Sequence, residues 1–304
     1  MKIVFFGTSD FAVPLLNMLS SKHKILGVVT APDKKKGRGR KVGVSPIKAL
    51  AQKKGFSLLQ PQHLREAAFI QALKSASAEL FVVCAYGKIL TKDILQLPKN
   101  YAINLHASLL PKYRGAAPIN WAIVKAEKTS GITVFKMDEH MDRGEIILQR
   151  KTDISDSDTS LTLGLRLSEI GAEGVLKAID LIASGRATFA RQDEGKASYA
   201  PRLRKEDGLI NWDFQACQIH NRIRGLKPWP GAFTYLEGKL LKILGSKVMP
   251  GPGSRVPGEI VEVEKEGILV QTGKDGLLIT DIQPEGKRAM SSAEFLSGHS
   301  IEVA

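Results

Sequence analysis

Cysteine is scarce in this sequence: two residues, Cys84 and Cys217, lie far apart among 304. That excludes a disulfide framework and the paired spacing of a structural zinc site. Cys84, inside the apolar run Leu80–Ala85, reads as a small buried thiol. Long hydrophobic runs are missing too. The first apolar stretch, Ile3–Phe6, is four residues long, whereas a secretory signal takes roughly 7–15 apolar residues and a membrane span about 20. No Arg- and Ser-rich leader precedes it, so the expectation is a cytoplasmic protein without membrane association. Glycine is missing where a dinucleotide fold requires it. The loop Phe6-Gly7-Thr8-Ser9-Asp10-Phe11 has one glycine where pyrophosphate binding takes three, which argues against NAD or flavin and for a structural loop. The acidic stretch at 138–142 lacks the spaced oxygen ligands and the glycine of a calcium loop, and no metal is expected.

What is present is an ordinary globular composition, 43% apolar, enough for a core without staples. The net charge of +13 is unevenly spread. Residues 206–304 carry a net of −2, so residues 1–205 carry +15. A field of that sign in the first two thirds points to a polyanionic partner, or simply to a soluble surface.

The first part alternates short apolar runs with helical patterns. Strands are expected at Lys2–Phe6, Ile25–Thr30, Leu80–Ala85, Tyr101–Leu105, Gly131–Met137 and Ile146–Ile154. Helices are expected at Phe11–Leu19, Ser45–Lys54 (Ser45 as N-cap, Pro46 first), 63–75, Ala116–Ala126 and Asp158–Ala183, the last ended by Gly185. Such alternation implies a Rossmann-like, mostly parallel sheet with helices on both faces. Residues 191–207 read as a polar linker. After one more helix, 216–226, come short strand-like runs punctuated by Gly, Asp and Pro, the pattern of a small β-barrel. The expected division is 1–204 and 205–304.

Strand Tyr101–Leu105 presents Asn104 and His106 near its C-terminal end, where open α/β sheets gather ligands. Residues two apart share a face of a strand, so both can point into one cleft. Amide and imidazole donors there can stabilise charge developing on a carbonyl oxygen; alternatively they satisfy local hydrogen bonds. A second polar loop, Met137–Gly144, follows a strand expected to be parallel. It should therefore reach the same edge and bring Asp142 there, unless Asp142-x-Gly144 is a plain solvated turn.

These residues, with Ser108-Leu109-Leu110-Pro111-Lys112-Tyr113-Arg114-Gly115-Ala116-Ala117-Pro118, Ala85-Tyr86-Gly87 and Pro228-Trp229-Pro230, resemble the folate-dependent formyltransferase family, in order and along essentially the whole chain. The resemblance implies 10-formyltetrahydrofolate as donor, with Ser108, Leu109, Leu110 and Pro111 lining its site and the Tyr86–Leu90 loop walling the pterin. It implies that Asn104 and His106 hold the formyl oxygen as it becomes a tetrahedral oxyanion. Asp142 would orient His106, stabilise its imidazolium form and help move protons.

Between the second strand and the next helix lies Lys34-Lys35-Lys36-Gly37-Arg38-Gly39-Arg40-Lys41. It is either a solvated charge run or an RNA contact. It resembles an insertion found in family members whose acceptor is methionine on initiator tRNA, which implies tRNA binding by Lys36, Arg38, Arg40 and Lys41, with the second domain extending the footprint. Arg at such a place contacts phosphate bidentately and stacks on bases. In the second domain, Arg222, Arg224, Lys227, Lys239, Lys242 and Lys247 suggest one basic face, and Trp229 reads as core. The expected protein is a monomeric enzyme formylating the amine of initiator Met-tRNA. The rivals are a formyltransferase acting on a small amine (a sugar nucleotide or glycinamide nucleotide) and a non-catalytic RNA-binding protein.

Overall fold

The computed structural model describes residues 1–36, 41–251, 255–264 and 266–299. Two compact units emerge. The first comprises Met1–Pro118, Thr129–Asp153 and Gly164–Pro201; the second comprises Ile119–Lys128, Ile154–Leu163 and the chain from Arg202 on. Among the described residues no helix is long and apolar enough to cross a membrane.

In chain order, the elements of the first part are β1 (Lys2–Gly7), α1 (Val13–Lys22), β2 (Lys24–Val29), β3 (Lys34–Lys36), β4 (Lys41–Gly43), α2 (Pro46–Lys53), β5 (Leu58–Leu59), α3 (Ala67–Ala76), β6 (Leu80–Cys84), α4 (Lys92–Leu95) and β7 (Tyr101–His106). They continue with β8 (Arg114–Gly115), α5 (Pro118–Val124), β9 (Thr129–Lys136), β10 (Ile146–Asp153), α6 (Ser160–Ala183) and β11 (Tyr199–Ala200). Ser45 caps α2 as expected, its hydroxyl accepting from the Lys48 N–H at 3.0 Å, and Gly185 follows α6 in a left-handed turn.

The main sheet has the order β10-β9-β7-β6-β1-β2-β5. Strands β7, β6, β1, β2 and β5 are parallel, and their burial on both faces explains why Ile3–Phe6 is a continuous apolar run: Ile3, Val4, Phe5 and Phe6 are at most 1% exposed. The chain winds outward from β1 in one direction and resumes at β6 on the other side, so the crevice between the ends of β1 and β6 is a topological switch point, where ligands of such sheets bind. Thr8 closes its floor: its hydroxyl donates to the Tyr86 carbonyl at 3.0 Å and accepts from the Ala31 N–H at 3.3 Å, tying three loop starts together.

One expectation fails here. Strand β9 is antiparallel to β7, and β10 is antiparallel to β9. A parallel return from β9 to β10 would need a crossover of about a dozen residues or more. Residues 137–145 are too few, and the pair closes as a hairpin.

The basic segment also takes a form its composition did not announce. Lys34, Lys35 and Lys36 pair with Gly43, Val42 and Lys41 as an antiparallel ladder. Arg38 and Arg40 lie outside the described residues. At the foot of this ladder Asp33 is paired with Lys48 and accepts from Gln60 at 3.0 Å; the Lys48 and Gln60 hydrogen bonds hold its carboxyl below the usual carboxylate range.

The second unit contains α7 (Ala216–Gly225), β12 (Ala232–Leu236), β13 (Lys239–Met249), β14 (Ile260–Glu264), β15 (Gly267–Gln271), β16 (Gly276–Pro284), β17 (Met290–Ser291) and α8 (Ser292–Leu296). The strands are antiparallel in the order β12-β13-β16-β15-β14, with β17 on β16. One core gathers Ile219 and Ile223 of α7, Ile243, Val270 and Ile279 of the strands, and Phe295 of α8. The unit is an antiparallel sheet packed with α7 and α8, and its end strands β12 and β14 share no ladder among the described residues. Two readings of this unit need correction. Trp229 is 55% exposed rather than core. Arg224 is buried, donating to the carbonyls of Ser155 and Asp158 and to the Asn221 amide, so it belongs to the interior and not to a basic face.

Candidate active site

Strand β7 alternates as its sequence requires. Leu105 packs under Gly171 of α6, which leaves Asn104 and His106 to the opposite face. Asn104 is half-buried, and its side-chain amide has no hydrogen bond among the described residues. His106 is 7% exposed. Its Nε2 lies 2.9 Å from the Tyr113 carbonyl. A carbonyl only accepts, so Nε2 carries a proton. Its Nδ1 faces the Asp142 carboxylate at 3.7 Å, an electrostatic contact longer than a hydrogen bond.

Asp142 therefore meets His106, though not by the expected route. Strand β9 runs toward the start of β7: Thr133 pairs with His106 and Lys136 with Ile103, and the Met137 N–H donates to the Ala102 carbonyl at 2.8 Å. The hairpin loop then turns back. Gly144 permits this, because a Cβ there would overlap the Lys136 carbonyl. Asp142 has φ 55°, the left-handed region that non-glycine residues seldom adopt. Its Oδ2 accepts from the Gly115 N–H at 2.8 Å. Gly115 has φ 118°, and a Cβ would sit 2.7 Å from the Ala200 carbonyl, so no other residue fits.

The Ser108–Pro111 segment is folded onto a buried knot. Thr133, 0% exposed, donates from Oγ1 to the Ser108 carbonyl at 2.7 Å and accepts from the Leu110 N–H at 3.0 Å and the Gln149 amide at 2.9 Å. The Ser108 hydroxyl donates to the Lys112 carbonyl at 2.6 Å. Ser108 and Leu110 thus turn their side chains inward, and only Leu109 and Pro111 retain partial exposure. In the loop after β6, the Tyr86 ring sits in the core edge-on to Phe6 at 5.6 Å, and burial pushes its phenol up to about 12. Residues 87–89 are the outward part of that loop. Burial also raises the Cys84 thiol, which is inert in the core.

Sequence reasoning missed the segment read as a linker. Residues 191–200 frame the site instead. The Tyr113 N–H donates to the Ser198 hydroxyl at 2.9 Å, and β11 pairs with β8 in parallel register. Arg114 is 0% exposed. It makes a bidentate pair with Glu194 at 2.8 and 2.9 Å and donates to Gln192 at 2.7 and 3.2 Å. Arg143 also reaches Glu194, at 2.7 Å. Hydrogen bonds from Arg114 and then Arg143 pull the Glu194 carboxyl down to about 2. Arg143, Gln192 and Glu194 border a polar cavity of about 370 Å³ that Asn104 and His106 do not line. A warning was present in the sequence: Arg191–Glu194 carries charge of both signs, whereas a pure linker needs none.

Residues 1–179 match the family described as Formyl transferase, and residues 202–300 match Formyl transferase, C-terminal domain. A methionyl-tRNA formyltransferase of Caldanaerobacter subterraneus subsp. tengcongensis is 46% identical, over 99% of this chain and 98% of its own. The chain belongs to the methionyl-tRNA formyltransferase family. It is accordingly an enzyme, a one-carbon transferase, rather than a non-catalytic RNA-binding protein. Solved structures share the fold at lower identity. The methionyl-tRNA formyltransferase from Clostridium thermocellum has a TM-score of 0.58 at 19% identity, over 84% of this chain and 96% of that one. HypX from Aquifex aeolicus, in complex with tetrahydrofolic acid, has a TM-score of 0.67 at 16% identity, over 97% of this chain and 47% of its own.

Proposed function

We propose that this chain transfers the formyl group of 10-formyltetrahydrofolate to the α-amino group of methionine on initiator tRNA, and that Asn104, His106 and Asp142 carry the reaction. The observation that supports this most is the locked Asp142 carboxylate facing His106, with an Asn104 amide that has no hydrogen bond among the described residues on the same strand face. When bound, the donor supplies a formyl group on nitrogen. A bond forms between the acceptor amine nitrogen and the formyl carbon, the bond to the folate nitrogen breaks, and the proton lost by the amine ends on that nitrogen.

The residues fit this transfer. Asn104 donates to the formyl oxygen as charge builds there, a contact typically worth about 2.7–4 kcal/mol in the transition state. His106 exchanges the Tyr113 carbonyl for that oxygen; such bonds commonly tighten only in the reacting complex. Asp142 holds the imidazole in place and accepts proton density from it. A free α-amine has a pKa near 7.7–8.0, so roughly a tenth is neutral at pH 7, and proton removal is part of the task. Leu109 and Pro111 offer side-chain surface to the folate, while Ser108 and Leu110 shape the loop. Residues 1–204 form the transferase portion. Residues 205–304, with the basic segment 34–41 that includes Lys36, Arg38, Arg40 and Lys41, receive the tRNA.

His106→Ala and Asp142→Asn test the assignment. Each should fold and bind donor normally yet lose about 10²–10³ in kcat. Near-parental turnover in folded, purified variants would sink it.

A further inference from the structure

We propose that Gln192 is a positioning residue for this reaction: held by the buried Arg114, it sets the backbone at Asp142 and thereby aims the carboxylate at His106. The inference rests on the proposed role of Asp142. Asp142 occupies a left-handed conformation, φ 55°, that its surroundings must hold. Gln192 supplies the hold. Its side-chain amide donates to the Asp142 carbonyl at 2.9 Å and to the Gly144 carbonyl at 2.8 Å, bracketing the turn. Its oxygen accepts from Arg114 Nη2 at 2.7 Å and Nε at 3.2 Å. Only one amide orientation satisfies these partners. Flipped, the NH₂ would face a guanidinium and the oxygen would face two carbonyls.

Arg114 is a fixed post. It is 0% exposed, belongs to β8, which pairs with β11, and is pinned on its other edge by both oxygens of Glu194. The next residue completes the arrangement, because the Gly115 N–H takes Asp142 Oδ2 at 2.8 Å. Positions 114 and 115 thus hold Asp142 at two points. Arg114 acts on its backbone through Gln192, and Gly115 acts on its carboxylate directly. Gln192 makes no hydrogen bond to His106, whose partners are the Tyr113 carbonyl and the Asp142 carboxylate, so its action on the reaction passes through Asp142.

The test is a double-mutant cycle in the full-length enzyme, with 10-formyltetrahydrofolate and Met-tRNA as substrates. Gln192→Glu keeps the acceptor for Arg114 but replaces both donors with a carboxylate oxygen set against two carbonyls. A misplacement near 1 Å costs about a hundredfold, so kcat should fall by that factor while KM for both substrates holds. In an Asp142→Asn background the same substitution should cost nothing further, because the residue it positions no longer works. Gln192→Leu, which adds no charge, gives the same readout if the carboxylate prevents folding. Parental kcat in folded Gln192 variants, or losses that multiply across the cycle, would overturn the inference. If Asp142→Asn alone retains full turnover, the underlying reading of the site fails. If Asp142→Asn is inactive while Gln192→Glu is fully active, the positioning role alone fails.

Discussion

Replacing Thr133 with valine removes one hydroxyl and keeps the shape, so its cost can be worked from the contacts. Oγ1 takes part in three hydrogen bonds, to the Ser108 carbonyl and from the Leu110 and Gln149 nitrogens, at a position 0% exposed. Gln149 keeps the Leu110 carbonyl at 2.8 Å and loses one of two partners. The Ser108 carbonyl loses an acceptor contact. The Leu110 N–H is left buried and unpaired, the most costly of the three, at about 1–3 kcal/mol. With the other two losses and a partial offset from the added methyl, the net destabilisation should be about 3 kcal/mol. For a unit of this size that lowers the thermal midpoint by roughly 6–12 °C. The assay is paired thermal and denaturant melts of parent and variant, followed by kinetics below the transition. Because the knot shapes 108–111, KM for the folate donor should rise as well. A melt within experimental error of the parent, with unchanged KM, would refute the idea that Thr133 holds this loop.

Two further outcomes follow from the charges. Glu194 sits at about 2 in the folded protein against an ordinary 4.5, so the stability its pairing provides is complete above pH 4.5 and is lost as pH falls toward 2. The stability gap between parent and Glu194→Gln should therefore be open at neutral pH and close across that window; a gap independent of pH would contradict the Arg114 and Arg143 pairing. Arg38→Ala should raise KM for Met-tRNA, leave KM for the donor unchanged and flatten the salt slope by roughly 0.7–0.9, as measured by kinetics at several salt concentrations. Unchanged efficiency at low salt would remove the basic segment from the RNA contact.

Much of this was legible in the residues because local patterns carried it. Buried parallel strands read as unbroken apolar runs, Ser45-Pro46 announced a helix start, and Asn104-Leu105-His106 placed two polar groups on one face of a strand. What failed depended on distant partners. The direction of β9 is set by pairing with β7 and by a short hairpin loop, and its sequence, GITVFKM, suits either direction. Polarity made 191–207 look solvated, but Gln192 and Glu194 are polar because a buried guanidinium lies against them. Trp229 was misplaced for a related reason: an aromatic ring does not reveal which side of the chain faces the core, and Trp229 stayed out. Asp142 lies near His106, but the premise that brought it there was wrong. The loop reaches His106 by folding back, not by sharing a strand edge.

The most direct measurement supplies the purified enzyme with 10-formyltetrahydrofolate and, in parallel, initiator Met-tRNA, free methionine and a glycinamide nucleotide, and follows the formylated product of each. The account predicts rapid formylation of Met-tRNA and little or no product from the two small amines. Efficient formylation of a small amine, with none on Met-tRNA, would contradict it.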